Sequence, residues 1–508
     1  MKILLIEHPR AFNPRRCNDI ANTPLSSCLL SGYAAAVLEK AGHRVEIVEG
    51  YLDNLSYEYI KDRISAEKPD LLGVHMVYHW RTDTELFSLL ERVKQEKLTR
   101  YITAYGYYPT FNFEDILRGC DAIDSVIMGE PELLFVELAD ALDGPGHPPE
   151  ISGTARRDER GNITMTRSKP IDDLDSLPFP VRTEASFRLP EVNLQGSRGC
   201  YGKCTFCCIN PFYANASRWR GRSPENITAE IDMLIAERGI KNFYFTDPNF
   251  FGPGKQGQDR AMRLASLLKS RGIQFGIEAR VNDIHEETIE ALVGAGLRQI
   301  LIGLESGKDS TLKRLNKMTT VAQNERAIRI LRKYSIEPNI GFIMFDPSSS
   351  LEDIRTNLDF LQRNSLLNNL PVTANVLYHH QIILKGSPAF HTLRDQGMLE
   401  LSPDETYEGT AAFLDRRVAD LADLMRQITN SLFLRMWGIW SGKEIEPGDA
   451  EKKYSMINAL LVDLFERALR DLESGRSMTD EEKDLAVREV KASIDRILTA
   501  PVPLIAKH

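Results

Sequence analysis

The sequence predicts an α/β protein with an N-terminal doubly wound, Rossmann-like domain, a partial (βα)6 barrel and a helical C-terminal domain. Strand and helix signals alternate over residues 1–143, a second alternating series covers residues 191–398, and helical periodicity prevails over residues 399–508. Strands that alternate with helices are typical of parallel sheets. The length of 508 residues is sufficient for these parts, because one domain commonly holds about 100–200 residues.

The first domain, residues 1–143, contains five predicted strands. They are Lys2–Glu7, Arg44–Val48, Leu71–Met76, Tyr101–Ala104 and Ser125–Met128. Helical periodicity predicts the helices between them at Ser26–Ala41, Tyr57–Glu67 and Asp83–Gln95. Sheets of this kind bind ligands at the carboxyl ends of their strands. We therefore expect a ligand site where strands one, three, four and five end, at residues 7–10, 77–81, 105–110 and 129–132.

A linker with a small β element is predicted between the two α/β domains. Residues 144–190 are rich in Pro and Gly, which favour turns and interrupt regular elements. Within this stretch, Arg156–Gly161 is typical of a hairpin tip.

The barrel, residues 191–398, contains six predicted strands. They are Val192–Gln195, Asn242–Thr246, Phe275–Ala279, Gln299–Leu304, Glu337–Phe345 and Val372–Leu377. The helices between them are predicted at Pro224–Arg238, Asp259–Arg271, Glu286–Gly294, Val321–Tyr334 and Leu351–Gln362. Barrel enzymes carry their chemistry at the carboxyl ends of the strands. From about residue 399 the pattern is purely helical, as in residues 459–474.

The amino-acid composition excludes a broadly basic protein. Hydrophobic residues make up 42% and charged residues 27%, and 63 Lys and Arg against 72 Asp and Glu give a net charge of −9. Such a balance does not point to bulk nucleic-acid binding, and no apolar run reaches the roughly 18–20 residues of a membrane-spanning helix. The first residues predict a strand rather than a signal peptide. We therefore expect a cytoplasmic protein without nucleic-acid or membrane partners.

Four of the seven cysteines lie together, directly after the first barrel strand: Cys200, Cys204, Cys207 and Cys208. In a reducing compartment such a group favours metal binding or redox chemistry over disulfides. The spacing C-x3-C-x2-C allows three thiolates to bind one face of an iron–sulfur cubane and leaves the fourth iron open for a small molecule. Cys208 points away from Cys207 if the backbone is extended, which makes it a weak candidate for a fourth ligand.

A zinc site and buried structural thiols are the alternatives for this group. Zinc requires a fourth Cys or His at a matching spacing. The downstream histidines, His285, His379, His380 and His391, form no such pair. An iron–sulfur cluster is therefore favoured, and structural thiols are the least favoured interpretation.

The segment Cys200-x3-Cys204-x2-Cys207, with Phe206 before its last cysteine and a (βα)6 pattern around it, resembles the radical S-adenosylmethionine (SAM) enzymes. The resemblance covers about residues 190–400. It implies that the three cysteines bind a [4Fe–4S] cluster and that Phe206 belongs to the cofactor site. It also implies that SAM binds the open iron and is cleaved to a 5′-deoxyadenosyl radical. The protein's part is then to position SAM against the substrate.

Four further residues are assigned to SAM by the resemblance. Thr246 and Asp247 stand where the family has a Gly-Gly-Glu-like bend that receives the SAM amino group, a departure for which an ordinary turn is the alternative. Arg280, at the end of strand three, is assigned to the SAM carboxylate, with a surface ion pair as the alternative. Glu305, after strand four, is assigned to the ribose hydroxyls.

A doubly wound domain in front of such a barrel resembles the cobalamin-binding subclass of the family. Its β4 and β5 loops match segments of this chain, which assigns cobalamin contacts to Gly106, Tyr107, Pro109, Gly129 and Glu130. The Asp-x-His-x-x-Gly signature is absent, so no histidine is predicted to bind cobalt from below. Tyr78 and Trp80 are predicted to pack under the corrin. His79 could coordinate cobalt instead, and plain core packing is the alternative for these aromatic residues.

The resemblance implies a cobalamin-dependent radical SAM methyltransferase. In this subclass a methyl group passes from SAM, via methylcobalamin, to a carbon or phosphorus centre of a small-molecule substrate. A cyclase or rearrangement enzyme with the same cofactors is the alternative, and the sequence does not separate the two. Tyr378 and His379, after the sixth predicted strand, are candidate catalytic residues that face substrate or accept a proton. A flavodoxin- or ferredoxin-type protein is the expected electron donor.

A methylthio-type or non-enzymatic role on RNA or protein is disfavoured. A methylthiotransferase would carry a second cysteine-rich domain near its N-terminus and a basic RNA-binding module near its C-terminus. Here Cys17, Cys28 and Cys120 are widely spaced, and the C-terminal part has acidic stretches at residues 444–449 and 480–484.

Overall fold

The N-terminal half forms a seven-stranded sheet in the computed structural model, which describes residues 1–9, 29–76, 84–144, 150–214, 218–402, 405–440, 445–446 and 448–499. Its elements are β1 (Lys2–Glu7), α1 (Leu29–Lys40), β2 (Arg44–Glu49), α2 (Tyr57–Glu67), β3 (Leu71–His75), α3 (Thr84–Gln95), β4 (Tyr101–Tyr105), α4 (Tyr107–Gly119), β5 (Ser125–Ile127), α5 (Glu132–Asp143), β6 (Thr154–Arg157) and β7 (Ile163–Met165).

The first five strands of this sheet are parallel and follow the order β2-β1-β3-β4-β5. Side chains of α1 and α5 cover one face, and those of α2, α3 and α4 cover the other. Burial on both faces explains why β3 consists of buried residues throughout. The prediction of a doubly wound N-terminal domain is confirmed.

The segment predicted as a linker contributes to the same sheet. Strands β6 and β7 form a hairpin, and β6 pairs antiparallel with β5. The hairpin therefore extends the N-terminal sheet beyond its parallel part, and its tip lies at the predicted place around Asp158–Gly161.

The second α/β unit is built on a five-stranded parallel sheet in the order β14-β13-β12-β11-β8. Its elements are β8 (Val192–Leu194), β9 (Ser197–Arg198), α6 (Ile209–Phe212), β10 (Arg220–Gly221), α7 (Pro224–Arg238), β11 (Asn242–Phe245), α8 (Gly254–Leu268), β12 (Gln274–Arg280), α9 (Glu286–Ala295), β13 (Leu297–Glu305), α10 (Asp309–Arg314), α11 (Val321–Lys333), β14 (Asn339–Phe342) and α12 (Leu351–Arg363). Five of the six predicted strands are confirmed, and the sheet is an open, partial barrel.

The sixth predicted strand was wrong, because Val372–Leu377 lies mostly within helix α13 (Leu370–Val376). The Asn369 side chain accepts a hydrogen bond from the Val372 amide, and Pro371 occupies the first turn. Both features favour a helix start and outweigh the strand preference of the β-branched residues. A single parallel bridge between Phe345 and His380 stands where the sixth strand was expected.

The C-terminal part begins with strands rather than with helices. After β15 (Ile383–Leu384) and α14 (Pro388–Asp395), strands β16 (Leu399–Ser402) and β17 (Glu405–Ala411) form an antiparallel sheet with β15. Three long helices follow: α15 (Arg416–Trp440), α16 (Ala450–Glu473) and α17 (Asp480–Thr499). Their apolar faces share one core with the barrel helices. Among the described residues, no helix combines the length and the apolar character needed to cross a membrane.

Candidate functional site

The cysteine loop leaves the barrel at the carboxyl end of β8, between β9 and α6. Cys200 and Cys204 are buried, and Cys207 is half-buried. The loop is attached to later parts of the chain by backbone hydrogen bonds: the Thr205 amide donates to the Leu315 carbonyl at 3.0 Å, and the Ala389 amide donates to the Thr205 carbonyl at 2.8 Å. The three thiols of the predicted motif thus lie on a fixed loop at the face where barrel enzymes work.

Two hydrogen-bond donors point at the sulfur atoms of this loop. The Gly202 amide donates to Cys200 Sγ at 3.3 Å, and Arg280 Nη1 donates to Cys204 Sγ at 3.4 Å. Donors aimed at sulfur suit thiolates, the form in which cysteine binds iron. Burial raises the pKa of Cys200 and of Cys207, and a metal bound to these thiols would favour their ionised form.

Three cysteine thiols on one loop are a donor set that fits a [4Fe–4S] cluster. Among the described residues, no three His, Cys, Asp or Glu side chains are grouped closely enough to hold a single metal ion. In a cubane, each cysteine binds a different iron, so its ligands need not converge on one point. Cys208 is buried in the core of the N-terminal domain, and burial raises its pKa to about 12. Phe206 is a half-buried residue of the loop.

Arg280, at the carboxyl end of β12, lies against the cysteine loop rather than at the surface. Besides its bond to Cys204, its Nη2 atom donates to the Lys317 carbonyl, and its guanidinium lies 5.3 Å from the centre of the Tyr201 ring. Gly202 makes this approach possible, since any β-carbon there would collide with Arg280 Nη1. Only 5% of the Arg280 surface is exposed.

Glu305 ends β13 in a left-handed backbone conformation, with φ of 62°. Its carboxylate is buried and accepts a hydrogen bond from Lys317 Nζ at 2.6 Å. Gly303 leaves the space that both groups occupy, because a β-carbon there would lie against Glu305 Oε1 and Lys317 Nζ. A bulky residue rarely adopts this backbone, and such strain is typical of functional sites.

Lys317 was missed by sequence reasoning, although it completes the pair with Glu305 from 12 residues away. The only signal available was a basic residue shortly after the Gly-rich end of the fourth barrel strand. Glu278 was missed as well. It lies two residues before Arg280 on β12, and the alternation along a strand places both side chains on the same face.

Glu278 and Tyr244 form a polar pair on neighbouring strands. The Tyr244 hydroxyl donates to Glu278 Oε1 at 3.4 Å. Burial raises the pKa of Glu278 to about 7, and the carboxylate of Asp247 acts in the same direction. The pair therefore adds a carboxyl that titrates near neutral pH to the site.

Thr246 and Asp247 follow β11. Asp247 is fully buried; its Oδ1 accepts from the Gly196 amide at 2.7 Å, and its Oδ2 accepts from the Ser197 hydroxyl at 3.0 Å. Burial raises its pKa to about 6, while Arg260 and these hydrogen bonds limit the rise. The Thr246 hydroxyl donates to the Leu194 carbonyl at 3.2 Å. The contacts of both residues fix the start of the cysteine loop.

The carboxyl edge of the N-terminal sheet brings together the residues that were assigned to cobalamin after β4 and β5. Gly106 and Gly129 both have positive φ, of 114° and 85°, and the Gly129 amide donates to the Thr110 hydroxyl at 3.0 Å. Tyr107 stacks on Phe212 with ring centres 3.9 Å apart, and Pro109 is buried in the first turn of α4. Tyr78, His79 and Trp80 lie outside the described residues.

Glu130 is enclosed by arginines of the barrel domain. Its Oε1 accepts from Arg198 Nη1 at 2.8 Å, and its Oε2 accepts from Arg220 Nη1 and from the Ile171 amide, each at 2.8 Å. Arg198 Nη2 also donates to Glu132 Oε1 at 2.6 Å. The side chains of Arg198, Glu130 and Glu132 are at most 3% exposed. This network joins the β5 loop to the residues just before Cys200.

Tyr378 and His379 occupy different environments. Tyr378 is 1% exposed and packs in the core shared by the barrel and the C-terminal helices. His379 is half-buried, and its carbonyl accepts the Phe345 amide at 3.1 Å. The Tyr378 side chain is thus part of the core, whereas His379 lies closer to the surface.

Comparison with known proteins identifies the barrel. Residues 194–361 match the Radical SAM superfamily. A protein of Pyrococcus horikoshii named an uncharacterized methyltransferase is 27% identical over 372 residues, covering 72% of this chain and 78% of its own. An anaerobic magnesium-protoporphyrin IX monomethyl ester cyclase of Synechocystis is 28% identical over 375 residues, covering 71% of each chain.

A solved structure resembles nearly the whole chain. It is the cobalamin-dependent S-adenosylmethionine radical enzyme OxsB with aqua-cobalamin and S-adenosylmethionine bound, with a TM-score of 0.78 and 20% identity over 98% of this chain and 78% of that chain. This likeness shows the fold. Together with the family match, it confirms the predicted resemblance: residues 194–361 form a Radical SAM domain, which implies a [4Fe–4S] cluster and SAM as cofactors.

Proposed function

From this radical SAM domain, we propose that the chain is a cobalamin-dependent methyltransferase that moves a methyl group from SAM to a carbon or phosphorus centre of a small molecule. One observation carries the proposal: the cysteine loop is held on both sides against the edge of the N-terminal sheet. Arg198, before the cysteines, pairs with Glu130 and Glu132, and Phe212, after them, stacks on Tyr107. A ligand at that sheet edge would lie beside the barrel mouth.

The proposed function assigns a separate role to each group of site residues. Cys200, Cys204 and Cys207 hold the cluster, and Glu305, oriented by Lys317, accepts hydrogen bonds from the SAM ribose. Asp247 fixes the start of the cysteine loop through Gly196 and Ser197. Such positioning lowers the entropic cost of bringing two reactants together.

The N-terminal loops give the proposed corrin site its shape. Gly106 and Gly129 allow the backbone to turn sharply at the ends of β4 and β5, and Tyr107 offers an aromatic side chain beside them. When bound, the cluster with SAM supplies radical chemistry and cobalamin supplies methyl-carrier chemistry, while the protein orients them.

A cyclase or rearrangement enzyme with the same cofactors is the second candidate. It is favoured by the relative from Synechocystis, whose name is that of a cyclase. Glu278 would serve either function as a group that holds or accepts a proton, because its pKa of about 7 lies close to neutral pH. In both cases we propose a flavodoxin- or ferredoxin-type electron donor.

The products of SAM turnover test the proposal. The reconstituted protein, loaded with cobalamin and reduced without oxygen, is incubated with SAM, and the adenosyl products are quantified. S-Adenosylhomocysteine formed alongside 5′-deoxyadenosine supports the methyltransferase. 5′-Deoxyadenosine alone supports the cyclase or rearrangement enzyme. The Cys200→Ala, Cys204→Ala, Cys207→Ala triple variant is the control and should form no 5′-deoxyadenosine.

A further inference from the structure

We propose that Arg280 tunes the reduction potential of the cluster held by Cys200, Cys204 and Cys207, through its hydrogen bond to Cys204 Sγ. This inference rests on the proposed cluster-binding role of the three cysteines. It gives Arg280 a different role from the SAM-carboxylate contact that the sequence suggests. Four observations support it: the bond to sulfur, the use of the other donors, the burial of the charge and the fit of Gly202.

The first observation is the direction of the guanidinium. Arg280 Nη1 donates to Cys204 Sγ at 3.4 Å, and Nη2 donates to the Lys317 carbonyl. The central carbon of the guanidinium lies over the Tyr201 ring. Two of the five N–H donors of the guanidinium are thus used by a sulfur and a backbone oxygen.

The Nε donor of Arg280 is also consistent with a partner at the cluster. Arg280 Nε is buried and has no hydrogen-bond acceptor among the residues that the structure describes. A buried donor without a partner is costly, so a bound group is expected to accept from it. The sulfur atoms of a cluster are acceptors of the required kind.

Neighbouring residues on two sides hold the Arg280 guanidinium beside Cys204. The Tyr201 hydroxyl donates to Asp283 Oδ1 at 2.6 Å and accepts from Asn282 Nδ2 at 3.0 Å, which fixes the ring beneath the guanidinium. On the other side, Gly202 has no side chain, and any β-carbon there would displace Arg280 Nη1. The arginine and the glycine are therefore fitted to each other.

A buried cation that donates to a thiolate ligand stabilises the more negative, reduced cluster. Hydrogen bonds to sulfur and nearby charge are the means by which proteins set the potentials of such clusters. Arg280 should therefore raise the reduction potential, and its removal should make the cluster harder to reduce. A role confined to the SAM carboxylate, without contact to the cluster, would contribute nothing to the potential measured without SAM.

The test is a potentiometric titration of the reconstituted full-length protein without SAM, with the reduced cluster detected by electron paramagnetic resonance. For Arg280→Met we expect the equilibrium constant for one-electron reduction of the cluster to fall at least tenfold. This corresponds to a shift of the reduction potential by about 59 mV to more negative values. Arg280→Lys keeps the charge and should shift the potential by less. Arg263→Met is the matched control, because Arg263 pairs with Glu225 on the surface, and it should not shift the potential.

Iron content separates failure of this inference from failure of the proposed function. If the wild-type protein binds no cluster, the cluster site itself is rejected. If wild-type and Arg280 variants bind equal iron and have the same reduction potential, the tuning role is rejected. Weaker SAM binding by these variants would then indicate that Arg280 binds the SAM carboxylate. If Arg280→Met and Arg280→Lys both remain folded but lose their iron, Arg280 is needed for assembly and the tuning role is rejected as well.

Discussion

Glu130 and Glu305 stand in similar sequence settings but in different surroundings. Each follows a parallel strand, lies close to glycine and is buried. Both oxygens of Glu130 accept from arginines of the barrel domain, and one of them also accepts from the Ile171 amide of the preceding segment. Glu305 has a left-handed backbone and, among the described residues, one ion-pair partner, Lys317. The fully paired carboxylate joins two domains, and the strained one with a single partner is the better candidate for contact with a ligand.

The largest effect is expected from breaking the network around Glu130. Arg198→Met would leave Glu132 without its ion pair and Glu130 with one arginine fewer, in a region that excludes water. Removing one partner of a buried ion pair costs about 3–5 kcal/mol. The free energy of unfolding, measured by denaturant titration, should fall by that amount.

The control for this variant is an ion pair at the surface. Arg218 pairs with Asp172 at 2.8 Å, and both side chains are largely exposed. Arg218→Met should therefore lower the free energy of unfolding by no more than about 1 kcal/mol. Equal losses in the two variants would show that the buried network does not join the domains as described.

The next effect concerns Asp247, a buried carboxylate whose folded-state pKa is raised from 3.8 to about 6. Between these two values the folded protein binds more protons than the unfolded chain, so stability falls as the pH rises through this window. Above pH 6 the ionised Asp247 carboxylate lowers the free energy of unfolding by about 3 kcal/mol. Asp247→Asn has no such group, so wild-type stability should fall relative to the variant between about pH 4 and 6.

Denaturant titrations of wild type and Asp247→Asn across this pH range measure the difference. The lost or altered hydrogen bonds to Gly196 and Ser197 shift the two curves by a constant, while the carboxyl changes their slopes. Parallel curves would mean that the Asp247 carboxyl titrates at its ordinary pKa in the folded protein.

A smaller effect is expected on SAM binding, which should distinguish Glu305 from Glu130. Glu305→Gln should weaken SAM binding by about 10–100-fold, because a hydrogen bond to a charged group contributes about 1.5–3 kcal/mol. Glu130→Gln, which alters the domain interface, should change SAM affinity by less than about threefold, which is below 1 kcal/mol. Anaerobic calorimetry on the cluster-loaded protein provides both affinities. A larger loss of SAM affinity in Glu130→Gln than in Glu305→Gln would contradict the assignment of Glu305, rather than Glu130, to ligand contact.

The smallest effect is expected at an exposed contact between the domains. Lys385, after β15, donates to Asn112 Oδ1 at 2.7 Å and to Asp115 Oδ2 at 2.9 Å on α4. Asn112 is buried, but the charged Lys385 and Asp115 side chains are partly exposed. Loss of their ion pair in Lys385→Met should therefore cost no more than about 1 kcal/mol of unfolding free energy. A loss as large as that of Arg198→Met would place the main attachment of the domains here.

The sequence predicted most of the fold because its signals are local. Periodicity located the N-terminal strands and five barrel strands, and the spacing of three cysteines located the loop that carries them. The sixth strand failed because the Asn369 cap and Pro371 favoured a helix over β-branched residues. The strands β16 and β17 were missed within a stretch assigned to helices.

The partners of the site residues could not be predicted, because they depend on distant parts of the chain. Arg198 and Glu130 are 68 residues apart, and Arg280 and Cys204 are 76 apart. No periodicity relates positions at such separations. The first pairing follows from the meeting of two sheet edges, and the second follows from the places of β8 and β12 in one sheet. Only the three-dimensional structure displays either arrangement.

The central claim is that one chain holds a cluster on the barrel loop and a corrin at the neighbouring sheet edge. The most direct measurement is the iron and cobalamin content of the anaerobically reconstituted protein after removal of unbound cofactors. We predict about four iron atoms and about one cobalamin per chain, with iron but not cobalamin lost in the triple cysteine variant. A wild-type protein that retains iron without corrin, or a triple variant that keeps its iron, would contradict the account.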